Sequence, residues 1–322
     1  MNALLTIVEP GLATTVQDLG RTGHYNVGIP QGGAMDALSA DFANAAVGNP
    51  PGAAVLECTY TGPVFSWSED VRLAVAGAPV DVVVDGSKRP QWEPIELKAG
   101  QQVSFGVIRG GTRFYLAFAG GVDVPEVLGS RSTYTLGGLG GFQGRKLAAA
   151  DEVPVGGTCE VGPGWAIPGE LRPDFPRSAQ IRVVRGLYDH RLSDEGRRVF
   201  YQSEWTLTPV ADRTGLRFKG PGVQWQQRQQ PFGAGSDPSN IVDAGYAVGS
   251  IQIPGGTEPI VLHRDAVSGG GYAMIATVIS ADMDLLGRLA PGTTARFVPV
   301  SMADALVARA QLGELRAAVR AG

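Results

Sequence analysis

Cysteine is nearly absent: Cys58 and Cys159 are the two in 322 residues. They lie about a hundred residues apart and form no CxxC pair, which excludes a zinc ribbon, a thioredoxin motif and a disulfide scaffold and points to free thiols in a reducing compartment. The three histidines, His24, His190 and His263, are scattered and lack HExxH spacing, so no metal site is expected. No Gly-Lys dipeptide occurs, which removes the P-loop. No GxGxxG occurs either, since Gly137 to Gly144 reads GGLGGFQG, and there is no GxSxG elbow. His263-Arg264-Asp265 repeats the opening of a kinase catalytic loop, but the required Asn five residues after the Asp is Gly270, and no Gly-rich phosphate loop precedes it. An excess of positive charge is missing too. Lys plus Arg number 27 against 31 Asp plus Glu, the net charge is −4 and the pI is near 5.5, so no nucleic-acid partner is expected. The longest apolar runs, such as Tyr272 to Ile279, fall well short of the ~18 residues of a membrane span. The opening MNALLTIVEPG has no basic stretch and too short an apolar run for a signal peptide. A cytoplasmic protein with no membrane partner is the expectation.

What is present is glycine (46), proline (22) and 43% hydrophobic residues, a composition that suits many short strands joined by tight turns. Val71 to Val75 alternates, and the following DVVVDG ends on Asp85-Gly86, a hairpin signal. VSFGVI, then Gly110-Gly111, then RFYLAFAGG reads as a second hairpin. Gln180 to Gly186, Ser250 to Gly256 and Ala295 to Val300 have the same strand character. Helical pattern is scarce: Met35 to Val47 with Asp36 as N-cap and an apolar side of Leu38, Phe42, Ala45 and Ala46, Met302 to Val319, and a short polar helix over Tyr188 to Phe200. The proline-rich stretch from Gly156 to Pro176 suggests a boundary, giving lobes of 1–165 and 166–322. Leu97, Gly100 and Phe105 recur at the spacing of Leu289, Gly292 and Phe297, a faint sign of duplication.

Three segments hold more charge and glycine than a core needs. Thr14 to Gly23, continuing to Asp36, offers Gln17, Asp18 and Arg21 beside turn glycines. Leu128 to Arg145 offers the planar fork of Arg131, the hydroxyls of Ser132 and Thr133, Tyr134, and glycines that let backbone approach a ligand. Leu262 to Asp284 offers Arg264, Asp265, Ser268 and Tyr272. Asp18, Arg131 and Asp265 are the candidate catalytic groups. Gln17, Arg21, Ser132, Thr133, Tyr134, Arg264, Ser268 and Tyr272 are the candidates for substrate binding. The three segments are expected to line one cleft.

The motifs TTVQDLGRTG, GIPQGGAMD, AVGNPPGAAVLE, FAGGVDVPEVLGSRSTY, GGFQGRKL, GSIQIPGGTEPIVL and GGYAMIATVISADMDLL, in that order and nearly end to end, resemble the allophanate hydrolase subunit 2 family. That family is also called KipA or biotin-dependent carboxyltransferase-like. It includes the C subunit of 5-oxoprolinase and the carboxyltransferase region of urea carboxylase. The resemblance implies a mainly β fold of two cyclophilin-like β-barrel lobes with a few short helices. It implies an obligatory subunit 1 or KipI-like partner in a heterotetramer, and a separate LamB/YcsF-like protein, the oxoprolinase A subunit, that completes ring opening. The leading reading is a component of an ATP-dependent complex acting on a small amide, with ATP shared with the partner and not held by a P-loop here. One alternative is the carboxyltransferase component of a biotin-dependent urea carboxylase, with biotin arriving on another chain because no Met-Lys-Met occurs. The other is a non-enzymatic antagonist of a KipI-like kinase inhibitor.

The chain departs from the family pattern at two places. Many members read PxSG where this chain has Pro30-Gln31-Gly32-Gly33, and many read DRQTTGGYPK where it has DAVSGGGYAM, so Ala273 and Met274 replace a proline and a lysine. Arg264 is then the alternative group for a phosphate or carboxyl contact.

Overall fold

The computed structural model describes residues 3–321, which form two compact units. The first comprises Met1–Thr22, Gly32–Phe175 and Glu314–Gly322, and the second Gly23–Gln31 and Pro176–Gly313.

Two sheets build the first unit. A six-stranded sheet runs in the order Glu152–Val155, Ala3–Glu9, Val64–Trp67, Gln102–Phe105, Val82–Val84, Ser87–Arg89. A five-stranded sheet runs Ala13–Gln17, Val55–Thr59, Arg113–Phe118, Val71–Gly77, Ile95–Leu97. One apolar cluster draws on both, with Leu5, Ile7, Phe65 and Val103 from one sheet and Val16, Leu56, Val75, Phe114 and Phe118 from the other. Along Ala3–Glu9 the period-2 rule is plain: Ala3, Leu5 and Ile7 are buried while Leu4 and Val8 face solvent. All six residues of Arg113–Phe118 are buried. Phe114, Leu116 and Phe118 enter the core, and the helix Ala37–Val47 packs on this strand and its neighbour Val71–Gly77. Small side chains on alternate positions, Ala74, Ala76 and Ala117, suit the close approach of that helix.

The Asp36 cap is as expected: its carboxylate accepts the Ser39 N–H at 3.3 Å. The expected one-sided apolar stripe is not what folds, since all eleven residues of the helix are buried. Its buried Asp41 faces Arg316 at 3.6 Å and Arg320 at 3.5 Å.

Asp85-Gly86 closes the hairpin of Val82–Val84 with Ser87–Arg89, both residues at positive φ (46° and 79°), as a mirror-image turn requires. The second expected hairpin does not form. Gln102–Phe105 and Arg113–Phe118 lie in different sheets, because the intervening loop, with Gly110 and Gly111 at positive φ, carries the chain from one sheet to the other.

The second unit is a closed barrel of seven strands in the order Ser178–Arg185, Met274–Val278, Ser250–Gln252, Ile260–Leu262, Gly215–Lys219, Trp205–Ala211, Thr294–Pro299. A ring with an odd number of strands cannot be antiparallel at every seam. The parallel seam joins Ser178–Arg185 to Thr294–Pro299, with Ile181 opposite Phe297. Phe297 packs against Phe218 and stacks on Phe200, ring centroids 5.5 and 5.0 Å apart. Phe200 comes from the helix Asp194–Gln202, whose N-cap Ser193 accepts the Gly196 N–H at 2.9 Å. Asn240–Gly245 and Gly269–Tyr272 form a separate two-stranded sheet. The chain is thus mainly β. Its longest helix, Met302–Ala321, spans 20 residues, and no described helix is long and apolar enough to cross a membrane. In both copies of the Leu-Gly-Phe spacing, a left-handed glycine (Gly100 at φ 80°, Gly292 at φ 89°) precedes a strand that carries the Phe.

Candidate functional site

In the first unit, the Thr14–Gly23 and Leu128–Arg145 segments meet. Asp18 is the knot. Its carboxylate accepts the Gly20 N–H at 2.7 Å, the Ser130 hydroxyl at 2.6 Å, the Arg131 N–H at 2.6 Å and the Ser132 hydroxyl. The Ser132 hydroxyl also accepts the Asp18 N–H at 3.0 Å. One residue on, Thr133 donates N–H and hydroxyl to the Val16 carbonyl, and Gln17 donates to the Thr133 carbonyl at 3.2 Å. Arg21, fully buried, donates to the Ser132 carbonyl. Gln17, Arg21, Ser132 and Thr133 are therefore interior groups that fix the loop's path, with their polar atoms turned to neighbouring chain. A carboxylate ringed by four donors is well satisfied and holds its loop rigidly.

Glycine is required at the next turn. A Cβ on Gly140 (φ 66°) would sit 2.2 Å from the Ser132 carbonyl oxygen, and one on Gly141 (φ 57°) 1.9 Å from the Thr133 hydroxyl. Several of the loop's N–H groups are used internally: Gly138 to Thr135, Leu139 to Tyr134, Gly141 to Arg131 and Gly144 to Gly140. A cavity of about 440 Å³ opens beside this loop, walled by Val124, Pro125, Leu139, Phe142 and Pro154. Two groups of the Leu128–Arg145 segment keep unused hydrogen-bonding capacity. Arg131 donates Nε to the Val124 carbonyl at 2.9 Å and Nη1 to Glu126 at 2.6 Å, leaving Nη2 without a partner among the described residues. The half-buried Tyr134, ring against Gly137, keeps its hydroxyl free among the described residues.

The third segment lies in the second unit. Asp265, 4% exposed, takes the Arg213 guanidinium in a two-pronged pair at 2.8 and 3.0 Å. Arg264 faces the buried Asp284 at 3.4 Å. His263, fully buried, accepts the Arg264 N–H on Nδ1 at 2.9 Å, and its Nε2 lies 3.2 Å from the Met283 carbonyl. The Ser268 carbonyl accepts the Tyr246 N–H, and the Tyr246 hydroxyl accepts the Tyr272 N–H at 2.6 Å. Burial raises the Tyr246 phenol above its ordinary range. The hydroxyls of Ser268 and the exposed Tyr272 carry no partner among the described residues. Met274 is buried with Tyr246, Leu262 and Ala266, so an apolar nest surrounds the position where many family members carry lysine. Among the described residues no group of three or more His, Cys, Asp or Glu could hold a metal ion.

Two groups of polar residues escape a reading of the sequence. Glu57, inside the strand VLECT, accepts the Met35 N–H at 2.8 Å and the Tyr115 hydroxyl at 3.0 Å, with Arg113 at 3.5 Å. Burial, then the charge of Glu57, pushes the Tyr115 phenol well up. The signal is there: a polar residue amid strongly apolar strands marks a buried network. Arg191, expected on a polar helix, lies instead in the turn Asp189–Arg191 and is 3% exposed.

Residues 27–299 match the model of the carboxyltransferase domain, subdomain A and B. The chain belongs to this carboxyltransferase-domain family. It is 34% identical to the urea amidolyase of Saccharomyces cerevisiae over 92% of its own length and 17% of that protein. It is 32% identical to the C subunit of Escherichia coli 5-oxoprolinase over 95% of its own length and 94% of that protein. The crystal structure of Kluyveromyces lactis urea carboxylase, at 33% identity, superposes with a TM-score of 0.93 over 98% of this chain and 29% of that one. The carboxyltransferase-domain chain thus spans well under a third of these urea enzymes but nearly all of the oxoprolinase component.

Proposed function

We propose that the chain works as the C-type component of a 5-oxoprolinase-like, ATP-dependent complex that activates a small amide, in the cytoplasm. Its partner would be a subunit 1/KipI-like protein, in a heterotetramer, with a LamB/YcsF-like protein taking the activated product. The observation that supports this most is similarity running over 94% of the Escherichia coli protein. Several N–H groups of the glycine loop are bonded internally, which makes it a poor phosphate cradle and fits ATP being held by the shared complex. Activating an amide carbonyl puts negative charge on its oxygen, and Arg131 Nη2 is the preorganised donor suited to hold it. Asp18 acts in this reading by positioning the Arg131 loop. A base role for Asp18 or Asp265 would require each to release the donors it now holds. Arg264, Ser268, Tyr134 and Tyr272 are proposed substrate-side groups.

A second reading, carboxyl transfer to urea or a related amide, is favoured by the TM-score of 0.93 to urea carboxylase. Biotin would then come on another chain. Copurification with the subunit 1/KipI-like partner, followed by ATPase assays with 5-oxoproline and urea in the presence and absence of avidin, separates the two. Stimulation by 5-oxoproline that avidin leaves intact supports the first reading, and avidin-sensitive stimulation by urea supports the second.

A further inference from the structure

Arg191 is buried without a counter-ion among the described residues. Its Nη2 donates to the Pro238 carbonyl at 2.9 Å, the Asn240 carbonyl at 3.0 Å and the Gln230 side-chain oxygen at 3.3 Å. Its Nε and Nη1 are buried and have no acceptor among the described residues. Two residues away, Asp189 is occupied elsewhere: it accepts the Tyr201 hydroxyl at 2.7 Å and faces Arg185 at 3.7 Å. Burial, followed by the charge of Arg228, lowers the Arg191 pKa. The buried Arg113 has Glu57 as its carboxylate, and the partly buried Arg213 and Arg264 have Asp265 and Asp284.

A guanidinium stripped of water needs acceptors for its N–H groups and a negative charge nearby, and carbonyls supply only the first. Nε carries one N–H and Nη1 two, so three of the five donors stand unused. Such a buried charge is costly unless an anion accompanies it. We propose that Arg191 anchors a binding site, in the second unit, for a small oxyanion group, a carboxylate or a phosphate. Planar N–H donors of this kind match oxygens of an anion better than a spherical halide. The Tyr188 ring, 5.8 Å from the guanidinium carbon, gives the site a flat wall. Gln230 makes the longest of the three bonds to Nη2 and is the group an entering oxygen would displace. This site is independent of the function proposed above.

The test is thermal unfolding of the full chain titrated with sodium phosphate, sodium acetate or sodium chloride at matched ionic strength. Ligand that binds the folded state raises Tm in a saturable way. Phosphate or acetate is expected to do so beyond chloride; a response to phosphate alone marks a phosphoryl ligand and to acetate alone a carboxylate. Arg191→Gln should weaken the binding roughly thirtyfold or more. Arg191→Lys, which keeps the charge but loses the planar fork, should weaken it partly. A shift no larger than chloride's, or one undiminished by Arg191→Lys, overturns the site.

Discussion

The carboxylate of Asp18 accepts the backbone N–H of Arg131 at 2.6 Å, across 113 positions of sequence. This bond sets the direction in which the Arg131 fork leaves its loop. It also makes Asp18 the hub of the first unit's candidate site, since three further donors converge on the same two oxygens.

Replacing Asp18 by Asn puts an amide against donors that need acceptors. Asp18→Asn should cost about 2–3 kcal/mol of stability, the scale for charge-assisted hydrogen bonds. Urea unfolding measures it. A loss well under about 1 kcal/mol would mean that the loop is held by other bonds.

Arg131→Ala should behave in the opposite way. Its ion-pair partner Glu126 is half exposed, so stability should change by less than about 1 kcal/mol. Activity of the assembled complex should fall by about 2–4 kcal/mol of transition-state stabilisation. Circular dichroism and the complex's turnover, measured side by side, check both halves.

Asp265 and Arg213 are a buried couple, 4% and 15% exposed at their side chains. Removing either partner alone leaves a buried charge and should cost about 3–5 kcal/mol. Removing both should cost less than the sum, and a double-mutant cycle in urea reads the coupling. Strict additivity would show that the two do not act as a pair.

Asp151 supplies a pH test. The Arg145 fork, bonded at 2.7 and 2.8 Å, holds its carboxyl below the ordinary range. A depressed folded-state pKa contributes stability that is present above the unfolded value, near ~3.9, and lost as pH falls through the folded one. Asp151→Asn should thus be less stable than the parent at about pH 7, by roughly 1 kcal/mol for a pair partly open to solvent. The gap should close below about pH 3–4. A gap that widens in acid would reverse the sign of this argument.

The parts of the fold that are legible in the sequence are local ones. Asp85-Gly86 declares its turn by residue type alone, and Asp36 its cap. The Gln102–Phe118 stretch misleads because alternation tells which residues face a core, not which sheet receives the strand. The all-round burial of Ala37–Val47 is hidden by Asp41, which reads as a solvent residue until Arg316 and Arg320 are known to face it. At the site, the segments that carry chemistry stand out by charge and glycine. What most of their side chains touch does not, because Arg131 and Arg213 are brought to Asp18 and Asp265 from 113 and 52 residues away. Arg191 gives no sign at all, since its burial depends on the Gln230–Asn240 loop.

Amide activation that depends on a partner is the central claim, and 5-oxoproline-dependent ATP hydrolysis tests it most directly. The chain should be assayed alone and then copurified with its subunit 1/KipI-like partner. No hydrolysis by the chain alone and 5-oxoproline-stimulated hydrolysis by the pair are expected. Robust turnover by the isolated chain, or a pair that 5-oxoproline leaves unstimulated, would contradict it.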